Sequence, residues 1–136
     1  WGYSPNDFLI IRDFTRHMNP NWIKFNSSVF RFKAQNFHWI WENFISNQSR
    51  IISKNFGDQD YLFNILKDTA KYWPEEWIQS YKWEIRNKGD LSLINGKRNF
   101  TSIKTPVISP DCCITVFHGD PKPVEVNDPW VKDNWK

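Results

Sequence analysis

The clearest pattern along the chain is a change from short apolar runs near its start to a helical spacing of apolar residues further on. Residues 8–11 form a continuous apolar run after a turn-like segment, which is typical of a buried strand. Residues 22–33 end in alternation, with Phe30 and Phe32 on one face and basic residues on the other. This alternation predicts a half-buried strand.

Two segments in the middle of the chain have the period of amphipathic helices. The first is capped by Asn36, stops near Asn47, and carries a predicted apolar stripe of Phe37, Ile40, Trp41, Phe44 and Ile45. The second begins at Asp58 after the entry turn at Gly57, and its predicted inner face is Leu62, Ile65, Leu66 and Thr69. His38 lies off the first stripe, which predicts a surface position. The mixture of strands and helices indicates the α/β class.

Small polar residues interrupt the second predicted strand at Asn26, Ser27 and Ser28. Two interpretations are equally open. A ligand could approach the chain at this point, or the segment could be a β-bulge or a turn without a ligand.

Asp58, Gln59 and Asp60 open the second predicted helix. Paired carboxylates suit a divalent cation such as Mg²⁺ or Mn²⁺, but such a pair usually follows an apolar strand, and none is predicted here. Acidic residues in a first helical turn also offset the helix dipole, and Asp60 fits that role. Asp58 and Gln59, at the very start of the helix, are candidates for contact with the hydroxyl groups of a ligand.

The following part of the chain gives weaker signals. Residues 76–86 have a period that is ambiguous between a short helix and an extended segment. Residues 87–110 are rich in Gly, Asn, Lys and Ser and have no clear period. A loop of that length in a compact domain is usually a lid, a binding loop or a disordered segment.

A short apolar strand is predicted at residues 113–117, and it delivers His118 to its end. Gly119 allows close approach of a ligand to the backbone, the prolines after it stiffen the loop, and Lys122 is a flexible cation suited to phosphate or carboxylate. This pattern indicates an anion or metal site. The competing interpretation is a hydrogen-bonded structural histidine followed by a solvated turn.

Composition narrows the function classes. With 136 residues, the chain has the length of a single domain (1–136), and no apolar run approaches the length of a membrane span. The net charge of +3 is mild and no basic stripe occurs, which argues against nucleic-acid binding. Cys112 and Cys113 are adjacent and cannot join distant parts of the fold, which favours a reducing, cytoplasmic setting. The nine tryptophans could serve a core or a sugar-stacking surface.

Taken together, residues 26–29, 58–62 and 117–123 resemble, in order and separation, the second half of GT-A-fold glycosyltransferases. The resemblance is to the glycogenin and lipopolysaccharide galactosyltransferase-like group and its uncharacterised bacterial relatives, and it extends over roughly residues 26–130. That group has an Asn-Ser-Gly strand, an Asp-Gln helix start and a late His-x-x-Gly-x-x-Lys-Pro-Trp segment. The resemblance implies a partial GT-A-like fold, with a short mixed sheet flanked by helices.

The resemblance also implies roles for individual residues. The catalytic pair that contacts the donor sugar would be Asp58 and Gln59. The substrate-binding residues would be Asn26 and Ser27 on the acceptor side, and Gly119 and Lys122 on the nucleotide diphosphate. His118 would be a ligand of Mn²⁺ or Mg²⁺. The implied partners are a nucleotide-sugar donor such as a UDP-sugar and a glycan or lipopolysaccharide-type acceptor.

The sequence departs from the group at Ser28 in place of Gly, at Phe63 in place of Asn, and at the direct succession of His118 and Gly119. The nucleotide-binding first half and its Asp-x-Asp would precede Trp1. We therefore expect the carboxyl-terminal part of a larger glycosyltransferase domain, inactive without that half, with an exposed apolar sheet edge open to aggregation or to formation of a homodimer. The alternatives are a non-catalytic carbohydrate-binding module and a structural aromatic-rich domain.

Overall fold

A computed structural model gives the fold as two compact units, Trp1–Trp73 and Pro74–Lys136. It describes residues 2–86, 107–126 and 128–135, and the backbone of residues 92–94 and 97–99. The chain is mixed α/β, as the sequence predicts, with small sheets and short helices. In these described parts, no helix combines the length and the apolar character needed to cross a bilayer.

The first unit is built on a three-stranded mixed sheet with the order β2-β1-β3. Its strands are β1 (Leu9–Arg12), β2 (Phe25–Arg31) and β3 (Lys71–Tyr72). The central strand β1 is antiparallel to β2 and parallel to β3. The continuous apolar run of β1 is buried, as predicted. The core around it consists of Phe8, Ile10, Phe25, Phe63 and Leu66.

Strand β2 contains an irregularity at the polar interruption. Ile11 pairs with Asn26 while the preceding residue, Ile10, pairs with Phe30, so residues 27–29 have no partner in β1. The side chain of Asn26 accepts a hydrogen bond from the backbone N–H of Ser28 at 3.0 Å, which holds this turn of the chain. The segment is therefore a β-bulge, and the approach of a ligand to it stays a prediction.

Helix α1 (Ala34–Ser46) starts before the expected position, with Lys33 and not Asn36 at its N-cap. Asn36 lies inside the helix and donates a side-chain hydrogen bond to the Asn6 side chain at 3.0 Å. The predicted apolar stripe is only partly correct, because Trp41 and Ile45 are 59% and 52% exposed. The half-buried side of α1 instead includes Asn43, which donates a hydrogen bond to the hydroxyl of Tyr61.

Two further helices complete the first unit, α2 (Gln48–Lys54) and α3 (Asp58–Leu66). Helix α2 was not expected, because its seven residues bury only Ile51 and give little periodic signal. Helix α3 begins where predicted, with Gly57 as its N-cap. Its buried residues are Tyr61, Phe63 and Leu66, whereas Thr69, predicted on the inner face, lies beyond the helix and is exposed. A short 3₁₀ turn spans Phe14–His17.

The second unit contains the strand that precedes His118. Strands β4 (Ile78–Ser80) and β7 (Ile114–Val116) form a two-stranded parallel sheet. The sequence predicts a single mixed sheet. The strand that precedes His118 instead pairs with β4, in a sheet separate from that of the first unit. The other elements are a π-helical turn at Tyr81–Ile85, β5 (Ser92–Ile94), β6 (Lys97–Asn99), a 3₁₀ turn at Pro123–Glu125 and α4 (Pro129–Asn134).

The predicted loop at 87–110 is wrong where β5 and β6 lie, because these strands pair as an antiparallel ladder. Residues 87–91, 95–96 and 100–106 fall outside the described residues, so the expectation of a lid or binding loop there stays a prediction.

Candidate functional site

The carboxyl ends of β4 and β7 form one edge of the second unit. The two strands are parallel and in register, with Ser80 opposite Val116. Parallel strands end at the same edge, so the residues that follow β4 and those that follow β7 leave the sheet side by side. In α/β proteins such an edge is where ligands usually bind.

His118 is held at this edge by Ser80, whose Oγ lies 2.8 Å from the imidazole Nε2. Ser80 is completely buried, and its Oγ also accepts the backbone N–H of Trp83 at 3.2 Å. Because a hydroxyl group has a single proton, Oγ can donate it to Nε2 when the ring is neutral. A protonated ring would reverse the direction of this hydrogen bond.

The contact between Ser80 and His118 has the chemistry of a nucleophile and its base, but its surroundings do not. A nucleophilic serine needs a hydroxyl that a substrate can reach. Ser80 is sealed from solvent and caps the turn at Tyr81–Ile85. Its backbone N–H is also fixed, by a hydrogen bond to the Glu84 carboxylate at 2.6 Å. Ser80 therefore positions the imidazole.

Gly119 has a φ of +66°, in the left-handed region that favours glycine. A Cβ added at this residue would lie 3.0 Å from Nζ of Lys82, so the ammonium group occupies the space beside the glycine Cα. Lys82 follows β4 as Gly119 follows β7. Lys82 therefore lies at this edge, although no sequence pattern indicates it as a site residue.

Lys122 is exposed on the same loop as His118. Its backbone N–H donates to the Glu125 carboxylate at 2.6 Å, and this bond fixes the start of the 3₁₀ turn at Pro123–Glu125. The loop that carries Lys122 is thus shaped locally, while the Lys122 side chain lies at the surface.

A buried polar cluster braces this edge from within the second unit. Arg86 donates to the Asp128 carboxylate through Nε at 3.1 Å and Nη2 at 2.8 Å, and the Tyr81 hydroxyl donates to the same carboxylate. Burial raises the pKa of Asp128. The Tyr81 ring stacks on Phe117 with centroids 4.5 Å apart, so the residue before His118 is also fixed.

The other predicted site residues lie in the first unit, near the start of α3. The Gln59 amide is 3.5 Å from the Asp13 carboxylate, which is itself held by the backbone N–H of Thr15 at 2.7 Å. Asp60 accepts from Lys24 at 3.4 Å, in addition to its place in the first helical turn. Asp58 is exposed at the helix start.

Asn26 and Ser27, the predicted acceptor residues, lie at the β-bulge of the same unit. Asn26 is buried and its side-chain oxygen is used within the bulge, whereas Ser27 is half-buried. A role of either residue in binding an acceptor stays a prediction.

Asp58 also borders an apolar cavity of about 660 Å³ within the first unit. Aromatic rings from Phe8, which directly precedes β1, and from β2, α1 and α3 form most of its wall, including Phe30, Phe37 and Tyr61. His38 lies at its border and is exposed, as predicted. A cavity of this size and chemistry could hold a small apolar group.

The implied Mn²⁺ or Mg²⁺ ion finds no matching ligand set among the residues that the structure describes. Nowhere in those parts do three His, Cys, Asp or Glu side chains gather closely enough to hold a metal ion. A divalent cation of this kind needs several oxygen or nitrogen ligands. The described residues therefore do not fit the ion by themselves, and its binding through His118 stays a prediction.

Comparison with known proteins identifies no relative of the chain. No protein-family model, curated protein or solved structure matches the chain significantly.

Of the residues at this edge, sequence patterns indicate His118, Gly119 and Lys122 as candidate site residues, but not Ser80 or Lys82. The ambiguous hydrophobic period at residues 76–86 does not indicate where β4 ends, because its three strand residues are followed at once by a π-helical turn. One usable signal was present. A serine followed four residues later by a glutamate is close to the spacing of a capping box, which would have placed the element boundary at Ser80.

Proposed function

We propose that the chain is part of a glycosyltransferase of the GT-A type that uses a nucleotide-sugar donor, and that the edge at His118 binds the donor's diphosphate. The observation that carries the proposal is the contact between Ser80 and His118. It supports a built site because it fixes an imidazole at the carboxyl edge of two parallel strands, directly before a glycine in the left-handed conformation.

The chemistry of sugar transfer explains why such an edge is useful. The oxygen of an acceptor hydroxyl forms a bond to the anomeric carbon and loses its proton to water or to the leaving diphosphate. The bond from that carbon to the diphosphate oxygen breaks, and its electron pair goes to the diphosphate. Negative charge therefore grows on the leaving group, and positioned donors and cations stabilise it. Under this proposal Lys122 supplies a charge, and Gly119 allows the phosphate to approach the backbone.

The proposal includes separate assignments in the first unit. Asp58 and Gln59 would contact the donor sugar, and Asn26 and Ser27 would line the acceptor side. Supporting features are the position of Asp58 and Gln59 at a helix start and the irregular backbone at Asn26. Substitution of Gln59 by Ala would test this part through the affinity for a UDP-sugar relative to UDP.

Titration with UDP, with and without Mn²⁺, tests the proposal by calorimetry or by NMR. Removal of a hydrogen-bonding side chain from the site should weaken binding, so we expect His118→Ala to lower UDP affinity roughly 5- to 100-fold. The matched control is His38→Ala, which removes an exposed histidine from α1 and should leave the affinity unchanged. Equal affinities for wild type and His118→Ala, or no binding of UDP by the wild type, would contradict the proposal.

A second candidate function, carbohydrate binding without catalysis, is favoured by the exposure of tryptophan rings. Trp41 and Trp135 are each 59% exposed, and Trp39 is 42% exposed. Exposed indoles stack well on sugar rings. A change in tryptophan fluorescence with free oligosaccharides, together with no response to UDP, is the result expected of this function. Silence across a glycan panel would rule it out.

A further inference from the structure

Lys82 brings a cation to the edge at His118 from a different segment of the chain. It lies two residues beyond the end of β4, whereas His118 lies two residues beyond the end of β7. Because β4 and β7 are parallel and in register, equal distances beyond their ends place the two segments next to each other. The contact between Ser80 and His118 fixes this arrangement at the strand ends.

The backbone at Lys82 is held in an unusual form. Residues Tyr81–Ile85 make a π-helical turn, closed by a hydrogen bond from the Arg86 N–H to the Tyr81 carbonyl at 2.9 Å. Such turns are rare and occur frequently at functional sites. The residues on either side of Lys82, Tyr81 and Trp83, are buried, whereas Lys82 is half-buried. The turn thus buries its neighbours and leaves the lysine at the edge.

The ammonium group of Lys82 lies against Gly119, where any side chain at that residue would meet it at 3.0 Å. The absence of a side chain at Gly119 therefore has two effects. It permits the left-handed backbone, and it gives the ammonium access to the backbone of the loop that continues to Lys122. A lysine ammonium is a compact charge with three donors, which suits a phosphate oxygen.

From this geometry we infer that Lys82 is a phosphate-binding residue of the site, which contacts the diphosphate of the donor together with Lys122. The inference rests on the proposed function for the nature of the ligand. The two lysines come from the loops after two adjacent strands. A diphosphate carries its charge on two neighbouring phosphate groups, so cations on both loops match it better than one.

Binding of UDP, pyrophosphate and uridine to Lys82→Gln tests the inference by NMR titration. A lost charge-assisted hydrogen bond weakens binding about tenfold to hundredfold, so we expect that loss for UDP and for pyrophosphate, and none for uridine. Lys82→Arg should retain most of the affinity because it keeps the charge. The matched control is Lys132→Gln, an exposed lysine on α4 of the same unit, which should bind as the wild type does.

A measurement on the wild-type protein tests the inference even if a variant fails to fold. In the wild-type protein, the ¹³Cε resonance of Lys82 should shift when pyrophosphate is added and should saturate with the same affinity as the His118 ring signals. If the wild type binds UDP and His118→Ala weakens binding, but Lys82→Gln binds like Lys132→Gln, the inference about Lys82 is wrong and the proposed function stands. If the wild type binds neither UDP nor pyrophosphate, both fail.

Discussion

Ser80 Oγ lies 2.8 Å from Nε2 of His118, and this contact joins the ends of two parallel strands that are 38 residues apart at these positions. The same oxygen caps the turn after β4 by accepting the Trp83 N–H. One buried hydroxyl therefore sets both the start of that turn and the place of the imidazole.

Substitution of Ser80 by Ala should lower the free energy of unfolding by about 1–2 kcal/mol, because it removes the hydroxyl that caps the turn and bonds the His118 ring. Urea denaturation measures the effect. Ser53→Ala is the control, since Ser53 is exposed on α2, and its effect should stay within about 0.5 kcal/mol. Equal stabilities of the two variants would show that the buried hydroxyl is dispensable.

Substitution of Gly119 by Ala should cost about 1–2 kcal/mol, because an L-residue pays that amount in the left-handed region. The Lys82 ammonium can move away from the new methyl group, so backbone strain is the main cost. The control is Ser53→Ala on the exposed side of α2, which should be close to neutral. Thermal denaturation should separate the two variants clearly.

Truncation of Leu66 to Ala should destabilise the first unit by about 2–5 kcal/mol, since Leu66 is 1% exposed and its loss leaves a cavity. Ile45→Ala removes a similar side chain that is half exposed on α1, and we expect a change of no more than about 0.5 kcal/mol. A chemical denaturation series on both variants checks this. A large loss in Ile45→Ala would mean that the exposed face of α1 is covered in the folded protein.

Removal of the Asp128 carboxylate in Asp128→Ala should cost about 1.5–3 kcal/mol, because it removes the charged acceptor of the hydrogen bonds from Arg86 and Tyr81. Asp133→Ala, on the exposed side of α4, is the control and should be close to neutral. Differential scanning calorimetry gives the comparison. A neutral Asp128→Ala would indicate that the guanidinium is satisfied by water.

The pKa of Asp7 depends on Lys71. A hydrogen bond from the Lys71 ammonium at 2.9 Å is the main cause that holds this pKa below its ordinary value, and the Ser4 N–H contributes in the same direction. The direction in which stability changes with pH follows from the linkage between proton binding and folding. Stabilisation by Asp7 is complete above the pKa of the unfolded carboxyl, about 3.9, and is lost as pH falls through the lower folded value.

In Lys71→Met, the Asp7 pKa should therefore rise toward its ordinary value without reaching it, because the Ser4 hydrogen bond persists. An NMR titration of the carboxyl carbon between pH 2 and 6 records the change. Lys67→Met, an exposed lysine of the same unit, should leave the titration as it is in the wild type.

Elements with a strong local pattern were predictable from the sequence. The apolar run of β1 and the start of α3 at Asp58 follow from local residue types, whereas the bulge at Asn26 was one of two open interpretations. Helix α2 and the strand β4 were not recovered, because they have seven and three residues and their signals are too short to resolve a period. The exposed Trp41 shows that an apolar spacing marks a helix but not which side of it is covered.

The residues of the candidate site also fall into two groups, those that local sequence features indicate and those that they do not. His118 and Gly119 stand out locally because a glycine and prolines follow a strand. Ser80 and Lys82 reach them only through the parallel pairing of β4 with β7, and sequence spacing carries no trace of that pairing. Residues that meet only through such long-range pairing can be identified only once the fold is known.

The parallel pairing of β4 with β7 has a consequence for how the protein assembles. Residues 81–113 lie between the two strands, and the chain must return across that interval before any pairing energy is gained. The β1–β2 pairing spans a much shorter interval. In pulse-labelled hydrogen exchange during refolding, we expect the Val116 amide to gain protection after that of Phe25, so the edge at His118 would be among the last parts of the protein to become native.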